Sequence, residues 1–244
     1  TLTSDVHLLS QSRACVSRED LLCNPETFEG AMSHHMSRFE YESLYVAMNE
    51  LSNHDHSRFL TRTNGQVGRI QNKGTEAAEE GINEAVMREA VIMQMTWPGA
   101  PTVYYGDEVG VCGWTDPDNR RTYPWGHEDK QMLLFHKEAI RIHRNSTALC
   151  TGSYKMLYTA WGILAYGRFD EKERYTVIVN NTQDTVNVAI PVWQIGVTDG
   201  SRMEQQLMSS SASFTKVPDI YVVTDGYLMI AMPKTSAVIL KDIG

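Results

Sequence analysis

Long apolar runs are missing from this sequence of 244 residues. No stretch approaches the ~18 consecutive apolar residues that a membrane-spanning helix requires, so no membrane span is expected. Residues 1–23 have no basic start followed by an apolar core, so they do not read as a signal peptide, and the compartment stays open with a slight tilt toward the cytoplasm. Basic runs are missing as well. With 30 acidic against 22 basic residues the net charge is −8, and nucleic acid is not an expected partner. Cysteine is sparse: Cys15, Cys23, Cys112 and Cys150 form no C-x-x-C pair, which points to free thiols rather than a zinc site or a disulfide framework. There is no internal repeat and no low-complexity tract.

What remains is ordinary globular composition, 42% apolar and 21% charged, in a chain that changes character near Thr151. Before it, helical patterns alternate with short apolar strands, the rhythm of an α/β layer with parallel strands. Asn24-Pro25 is a helix start, since Asn caps and Pro suits the first turn. Met36, Phe39, Leu44, Ala47 and Met48 suit a helix over Met36–Met48. Thr61 to Gly81 reads as a polar loop, and Asn83 as the cap of a helix to about Met95 with Val86, Ala90 and Met93 on one face. Pro101–Tyr105 reads as a short buried strand. A last helix from about Asp129 to Arg144 carries the inner stripe Met132, Phe135, Ala139 and Ile142. After Thr151, strand patterns follow one another at Lys155–Thr159, Ile163–Phe169, Arg174–Asn180, Thr185–Ile190, Arg202–Leu207, Ser213–Val217, Gly226–Met232 and Ser236–Lys241. Short strands at that spacing predict an antiparallel sandwich or barrel. The expected fold class is thus α/β followed by all-β, with domains over 1–150 and 151–244.

Two polar clusters could carry chemistry. Asn53-His54-Asp55-His56-Ser57-Arg58 packs a carboxylate, two imidazoles and a guanidinium where a strand meets a loop, the end of a parallel strand at which functional side chains gather. A carboxylate there can stabilise a developing cation or accept a proton. The competing reading is an Asp that caps a turn beside solvated histidines. The second cluster, Asp116-Pro117-Asp118-Asn119-Arg120-Arg121, fails the calcium-loop test, because Arg121 stands where Gly and His127 where Glu is required. Its mixed charges suit neutral, hydroxyl-rich ligands, and the neighbouring Trp114, Tyr123 and Trp125 could stack on sugar rings. Internal ion pairing within the loop is the alternative. His54 and His56 offer two metal ligands but no third, so no metal site and no cofactor are expected. Asn145-Ser-Thr and Asn180-Asn-Thr fit glycosylation acceptors.

Taken in order, Asn53-His54-Asp55, then Pro98-Gly-Ala-Pro-Thr-Val-Tyr-Tyr-Gly-Asp-Glu108, then Asp116-Pro-Asp-Asn-Arg120-Arg121 resemble the α-amylase family, glycoside hydrolase family 13. The likeness is to its neopullulanase, maltogenic amylase and α-glucosidase-like branches, and it runs from about Met36 to Arg144. The resemblance implies that residues 1–150 hold the last part of a (β/α)₈ TIM barrel, about strands seven and eight, and that 151–244 form the family's C-terminal β-sandwich. A full barrel needs ~250 residues, so the N-terminal part of the barrel is an expected partner. The family cleaves or transfers α-glucosidic bonds with retention, using an Asp nucleophile and a Glu acid/base. Asp55 matches the third family carboxylate, which favours the oxocarbenium-like transition state, and is the expected catalytic residue. His54, Asp116 and Arg120 match sugar-binding positions; Asn53 and Arg58 are expected to bind substrate beside them.

The pattern also departs from the family. No Arg-x-Asp strand and no Glu-bearing strand precede Asn53, and Arg18-Glu-Asp20 lies too close to it to serve. The implied function is the C-terminal part of a retaining, α-glucan-active glycosidase, acting on an α-glucan or maltooligosaccharide and inactive alone. Calcium would belong to the parent, and nothing here supplies its ligands. The alternatives are a noncatalytic carbohydrate-binding or regulatory protein descended from such an enzyme, and a metal-dependent hydrolase using His54 and His56.

Overall fold

A computed structural model describes the backbone of an antiparallel pair, β1 (Ser12–Arg13) and β2 (Val16–Ser17), and then residues 24–66 and 68–244. Cys15, Cys23 and Arg18-Glu-Asp20 lie outside the described residues.

α1 (Pro25–Met36) begins as Asn24-Pro25 predicts, with the Asn24 side chain accepting from the Thr27 amide at 3.0 Å. The helix expected over Met36–Met48 is broken. α1 stops at Met36, capped by Ser37, and only α2 (Tyr41–Val46) follows, with no buried residue. Phe39, Tyr41, Val46 and Met48 are exposed. An apolar stripe holds a continuous helix only when a packed surface takes it, since short helices are marginal by themselves. Phe39, Leu44 and Met48 instead line an apolar groove with Met32, Trp97 and Pro98.

β3 (Met48–Asn49) leads into the Asn53 cluster. The expected polar loop after it contains two short helices, α3 (Phe59–Arg62) and α4 (Ile70–Lys73), and a 3₁₀ turn over Glu76–Ala78. α5 (Glu84–Thr96) starts at Asn83, whose side chain accepts from the Ala85 and Val86 amides at 3.0 and 3.3 Å. It is buried from Ala85 to Thr96, not along one face only. A helix enclosed on all sides lies inside a core rather than on its surface.

β4 (Ala100–Pro101) pairs in parallel with β3, Met48 opposite Ala100 and Asn49 opposite Pro101. The strand is shorter than the expected Pro101–Tyr105. Its ladder ends where the partner backbone bends after Asn49, and the buried Gln94 amide donates to the carbonyls of Asn49 (3.1 Å) and Thr102 (2.8 Å). α6 (Lys130–Arg144), capped by Asp129, buries the predicted Met132, Phe135, Ala139 and Ile142, and His136 beside them. The short α7 (Thr147–Thr151), capped by Ser146, is not signalled by periodicity, because one turn carries too little pattern.

His136 carries a consequence for acid stability. Its Nε2 is buried without a hydrogen-bond partner, and burial pushes the imidazole down to about 4 from 6.5. A base with a depressed native pKa stabilises the fold above its unfolded pKa, and that stability is lost as pH falls because the unfolded chain binds the proton first. At ~1.4 kcal/mol per pKa unit, the loss between pH 6.5 and 4 is about 3 kcal/mol. His136→Leu is therefore expected to flatten the decline of urea midpoint over this window. An unchanged slope would contradict it.

The second half contains β5 (Ser153–Ala160), β6 (Ile163–Phe169), β7 (Arg174–Asn180), β8 (Val186–Ile190), β9 (Arg202–Ser209), β10 (Phe214–Thr215), β11 (Ile220–Val222), β12 (Leu228–Met232) and β13 (Ser236–Asp242). Each expected strand is present, and β11 is additional. The antiparallel sheet runs β10-β9-β13-β7-β6-β5, with β11 also on β9, while β8 and β12 form a separate ribbon. Side chains alternate between two buried clusters, as strand geometry requires. Ile163, Ala165, Ile178, Val238 and Leu240 meet Val188, Ile190, Leu228 and Ile230 of the ribbon. Leu164, Tyr166, Val177, Val179 and Ile239 face the other way, into one cluster with α1, α5 and α6. Trp97 sits in that second cluster, its ring 5.4 Å from Phe28 and 4.9 Å from Tyr166. Asn180, read as a glycosylation acceptor, is buried and donates to the carbonyls of Asp184, Met232 and Pro233.

Candidate active site

The Asn53 cluster follows β3, at the carboxyl end of the parallel pair. Asn53 Oδ1 accepts from the amides of Asp55 (2.9 Å) and His56 (3.1 Å), and its Nδ2 donates to Glu50 (2.8 Å). This is a local Asx turn, the reason Asn suits the position. It projects His54 and Asp55 outward, with side chains 61% and 68% exposed and His54 Nε2 3.4 Å from Asp55 Oδ1. Asn53 itself has little capacity left for a ligand. His56 is partly buried, and its pKa is lowered first by burial and then by the charge of Arg62, against the opposing pull of Asp55 and Glu50.

Arg58, expected at the substrate, is instead fully enclosed, at 0% exposure. Its Nε donates to the carbonyl of Asn119 (2.8 Å) and its Nη1 to the Tyr105 carbonyl (2.5 Å) and Asp107 Oδ1 (2.9 Å). The guanidinium lies over the rings of Tyr104 and Tyr105, 4.1 and 4.8 Å from their centroids. Any contact with a sugar would have to pass through these partners. The Asp107 carboxyl is pushed up by burial, opposed by Arg58 and by a hydrogen bond from Ser52. Arg58 thus ties the Asn53 cluster to the segment after β4 and to the Asp116 loop.

In that loop Asp116 and Arg120 form an ion pair, both about half exposed. Arg120 is held above its ordinary pKa first by its hydrogen bond to Asp116; the charges of Asp116, Tyr104 and Asp55 add to this. The two loops are joined through Asn119, whose side-chain amide donates to the carbonyls of Asn53 (3.2 Å) and His56 (2.7 Å). Asp118 and Arg121 serve the loop itself: Asp118 Oδ2 accepts from the Trp114 amide (2.9 Å), and Arg121 bridges Asp118 (3.0 Å) and Glu79 (2.6 Å). So the loop combines internal ion pairing with an outward-facing pair. Of the three aromatics considered for sugar stacking, Trp114 is buried, its indole N–H donating to Gly74 (3.0 Å). Tyr123 and Trp125 pack against one another with centroids 4.4 Å apart and planes tilted by 46°, with Trp125 79% exposed. Among the described residues no group of three or more His, Cys, Asp or Glu side chains is spaced to hold a metal ion, and no helix is long and apolar enough to cross a membrane.

With this geometry in place, the comparison with known proteins is specific. The family profile described as the α-amylase catalytic domain matches residues 7–218. The chain belongs to the α-amylase family. The amylopullulanase of Thermoanaerobacter thermohydrosulfuricus is 31% identical over 218 residues, 85% of this chain and 14% of that protein. Neopullulanase 2 of Thermoactinomyces vulgaris is 30% identical over 175 residues, 70% of this chain and 27% of that protein. An Anoxybacillus α-amylase structure superposes with a TM-score of 0.71 at 23% identity, over 89% of this chain and 42% of that one. This α-amylase-family chain spans less than half the length of each of these relatives.

Proposed function

We propose that the chain is the C-terminal part of a retaining glycoside hydrolase acting on α-glucans or maltooligosaccharides. Residues 1–150 then close a (β/α)₈ barrel with strands seven and eight, and 151–244 form a β-sandwich behind it. The observation that carries the reading is the convergence of the Asp55 turn, beside β3 and β4, with the loop of the Asp116–Arg120 pair, joined to it by hydrogen bonds from Asn119. In this reading Asp55 grips ring hydroxyls and stabilises the positive charge that develops as the glycosidic bond breaks. His54 binds a hydroxyl beside it, and Asp116 with Arg120 holds a sugar further along the glycone side. Asn53 and Arg58 shape the site rather than touch the ligand. The exposed Phe39–Met48 stripe and its groove suit cover by the preceding barrel segments.

Cleavage needs a nucleophile and an acid/base, and no residue here is assigned either role. Purified chain is therefore expected to give no turnover of 4-nitrophenyl α-glucoside, while the natural enzyme containing it does. Robust turnover by the chain alone, abolished by Asp55→Asn, would overturn the fragment reading. Maltooligosaccharide binding without turnover in the natural protein would favour a noncatalytic carbohydrate-binding role.

A further inference from the structure

We propose that Asn119 is a positioning residue that locks the Asp55 turn and the Asp116–Arg120 loop into one register, so that the sugar contacts of both are assembled as a unit. The inference rests on the glycosidase reading above. Asn119 belongs to the second loop but faces the first. Its side-chain amide donates to the backbone carbonyls of Asn53 (3.2 Å) and His56 (2.7 Å), the two residues that bracket His54 and Asp55. Its own carbonyl accepts from Arg58 Nε (2.8 Å). The side chain is completely buried, so these bonds are shielded from competition by water.

The chemistry at this position is demanding. Two carbonyl oxygens require two N–H donors on one short side chain, which Asn supplies and Asp, its isostere, does not. Asn119 Oδ1 has no hydrogen-bond partner, so it is the donor side of the amide that fixes its orientation. The surrounding backbone is tight: a Cβ on Gly113 would stand 2.9 Å from Asn119 Cα and 2.6 Å from the Asp118 carbonyl oxygen. Gly113 thus leaves the Asn119 backbone little room to move, while its side chain holds the Asp55 turn through both carbonyls. A substrate that reaches only Asp55 and one that also spans Asp116 and Arg120 then both depend on Asn119, whereas only the second depends on Asp116.

Two measurements on the natural enzyme test this. The first is amide hydrogen exchange at Asp55 and His56, expected to rise by about tenfold or more in Asn119→Asp as local opening becomes easier. The second is kcat for 4-nitrophenyl α-glucoside, expected to fall ~10–100-fold with little change in KM, since a small displacement of a positioned group costs that much. If exchange at 53–58 is unchanged and short-substrate kcat stays within about twofold, with only longer maltooligosaccharides affected, Asn119 serves its own loop and the proposal is overturned. Should Asn119→Asp not fold, Asn119→Ser, which keeps one donor, carries the same two readouts. Asp55→Asn separates the underlying reading: if it retains full turnover while exchange remains coupled to Asn119, the role of Asp55 fails and the coupling stands.

Discussion

Replacing Arg58 by alanine is expected to cost about 3–5 kcal/mol of folding stability, the usual penalty for stranding one member of a buried ion pair. Arg58 is wholly enclosed and its partner Asp107 is 5% exposed. Without the guanidinium, Asp107 keeps the desolvation that already raises its pKa and loses the charge that opposes it. The carbonyls of Tyr105 and Asn119 lose a donor, and the stack on Tyr104 and Tyr105 is lost too. The sign of the pH dependence follows. An acid whose native pKa lies above its unfolded value contributes stability below the unfolded pKa, and that contribution is lost as pH rises. The deficit of Arg58→Ala should accordingly be smallest in the ordinary carboxylate range and widen toward neutrality. Urea unfolding at several pH values measures it. Adding Asp107→Ala should recover part of the loss, because neighbouring sites are not additive. A variant within about 1 kcal/mol of the parent at neutral pH would mean that Arg58 holds nothing together.

The second large effect follows from the glycosidase reading proposed above and falls on catalysis by the parent protein. Asp55→Asn is expected to lower kcat and kcat/KM together by at least ~10²–10³-fold, the scale on which a preorganised electrostatic group acts in the transition state. The change removes a charge and little else: the turn that holds Asp55 is built from its backbone amide and the Asn53 side chain, and neither is altered. Stability should therefore stay within ~0.5 kcal/mol, as for an exposed substitution away from the core. A rise in KM with kcat unchanged would mark Asp55 as a uniform binding residue and remove it from the chemistry.

The sequence made some of this architecture legible and hid the rest for physical reasons. α6 was read within a residue of its start and with its inner stripe, because one face meets the core and the other meets water, so burial and periodicity coincide. The long strands β6 and β7 were read with their full bounds, since both faces are buried and turn residues close each end. α5 was located by its cap, but its burial on every side was invisible to a one-face pattern. Met36–Met48 misled because its apolar spacing fits a helix, whereas the chain breaks at Ser37 and turns Phe39, Leu44 and Met48 into an apolar groove. At the site, Asn53-His54-Asp55 and Asp116 to Arg120 stood out as polar clusters. The positioning role of Asn119 within the second cluster and the pairing of Asp107 with Arg58 did not. Their importance lies in contacts across roughly fifty to sixty positions of chain, which no local pattern records. Arg58 drew notice for its charge, yet charge alone does not tell a ligand contact from an internal tie.

The buried cluster that begins at Phe28, surrounds α5 and ends at Ile239 belongs equally to the helical half and to the sheet. Arg168 on β6 reinforces that junction, donating to the carbonyls of Thr96 (2.6 Å) and Gly152 (3.0 Å). For the ancestry of such chains this sets a limit on recombination. A genetic crossover near residue 150 would bring in a sheet whose inner face had never been shaped against this α5, leaving voids and unmatched carbonyls at the seam. Lineages that exchange modules should therefore have broken elsewhere, and the two halves should have descended together.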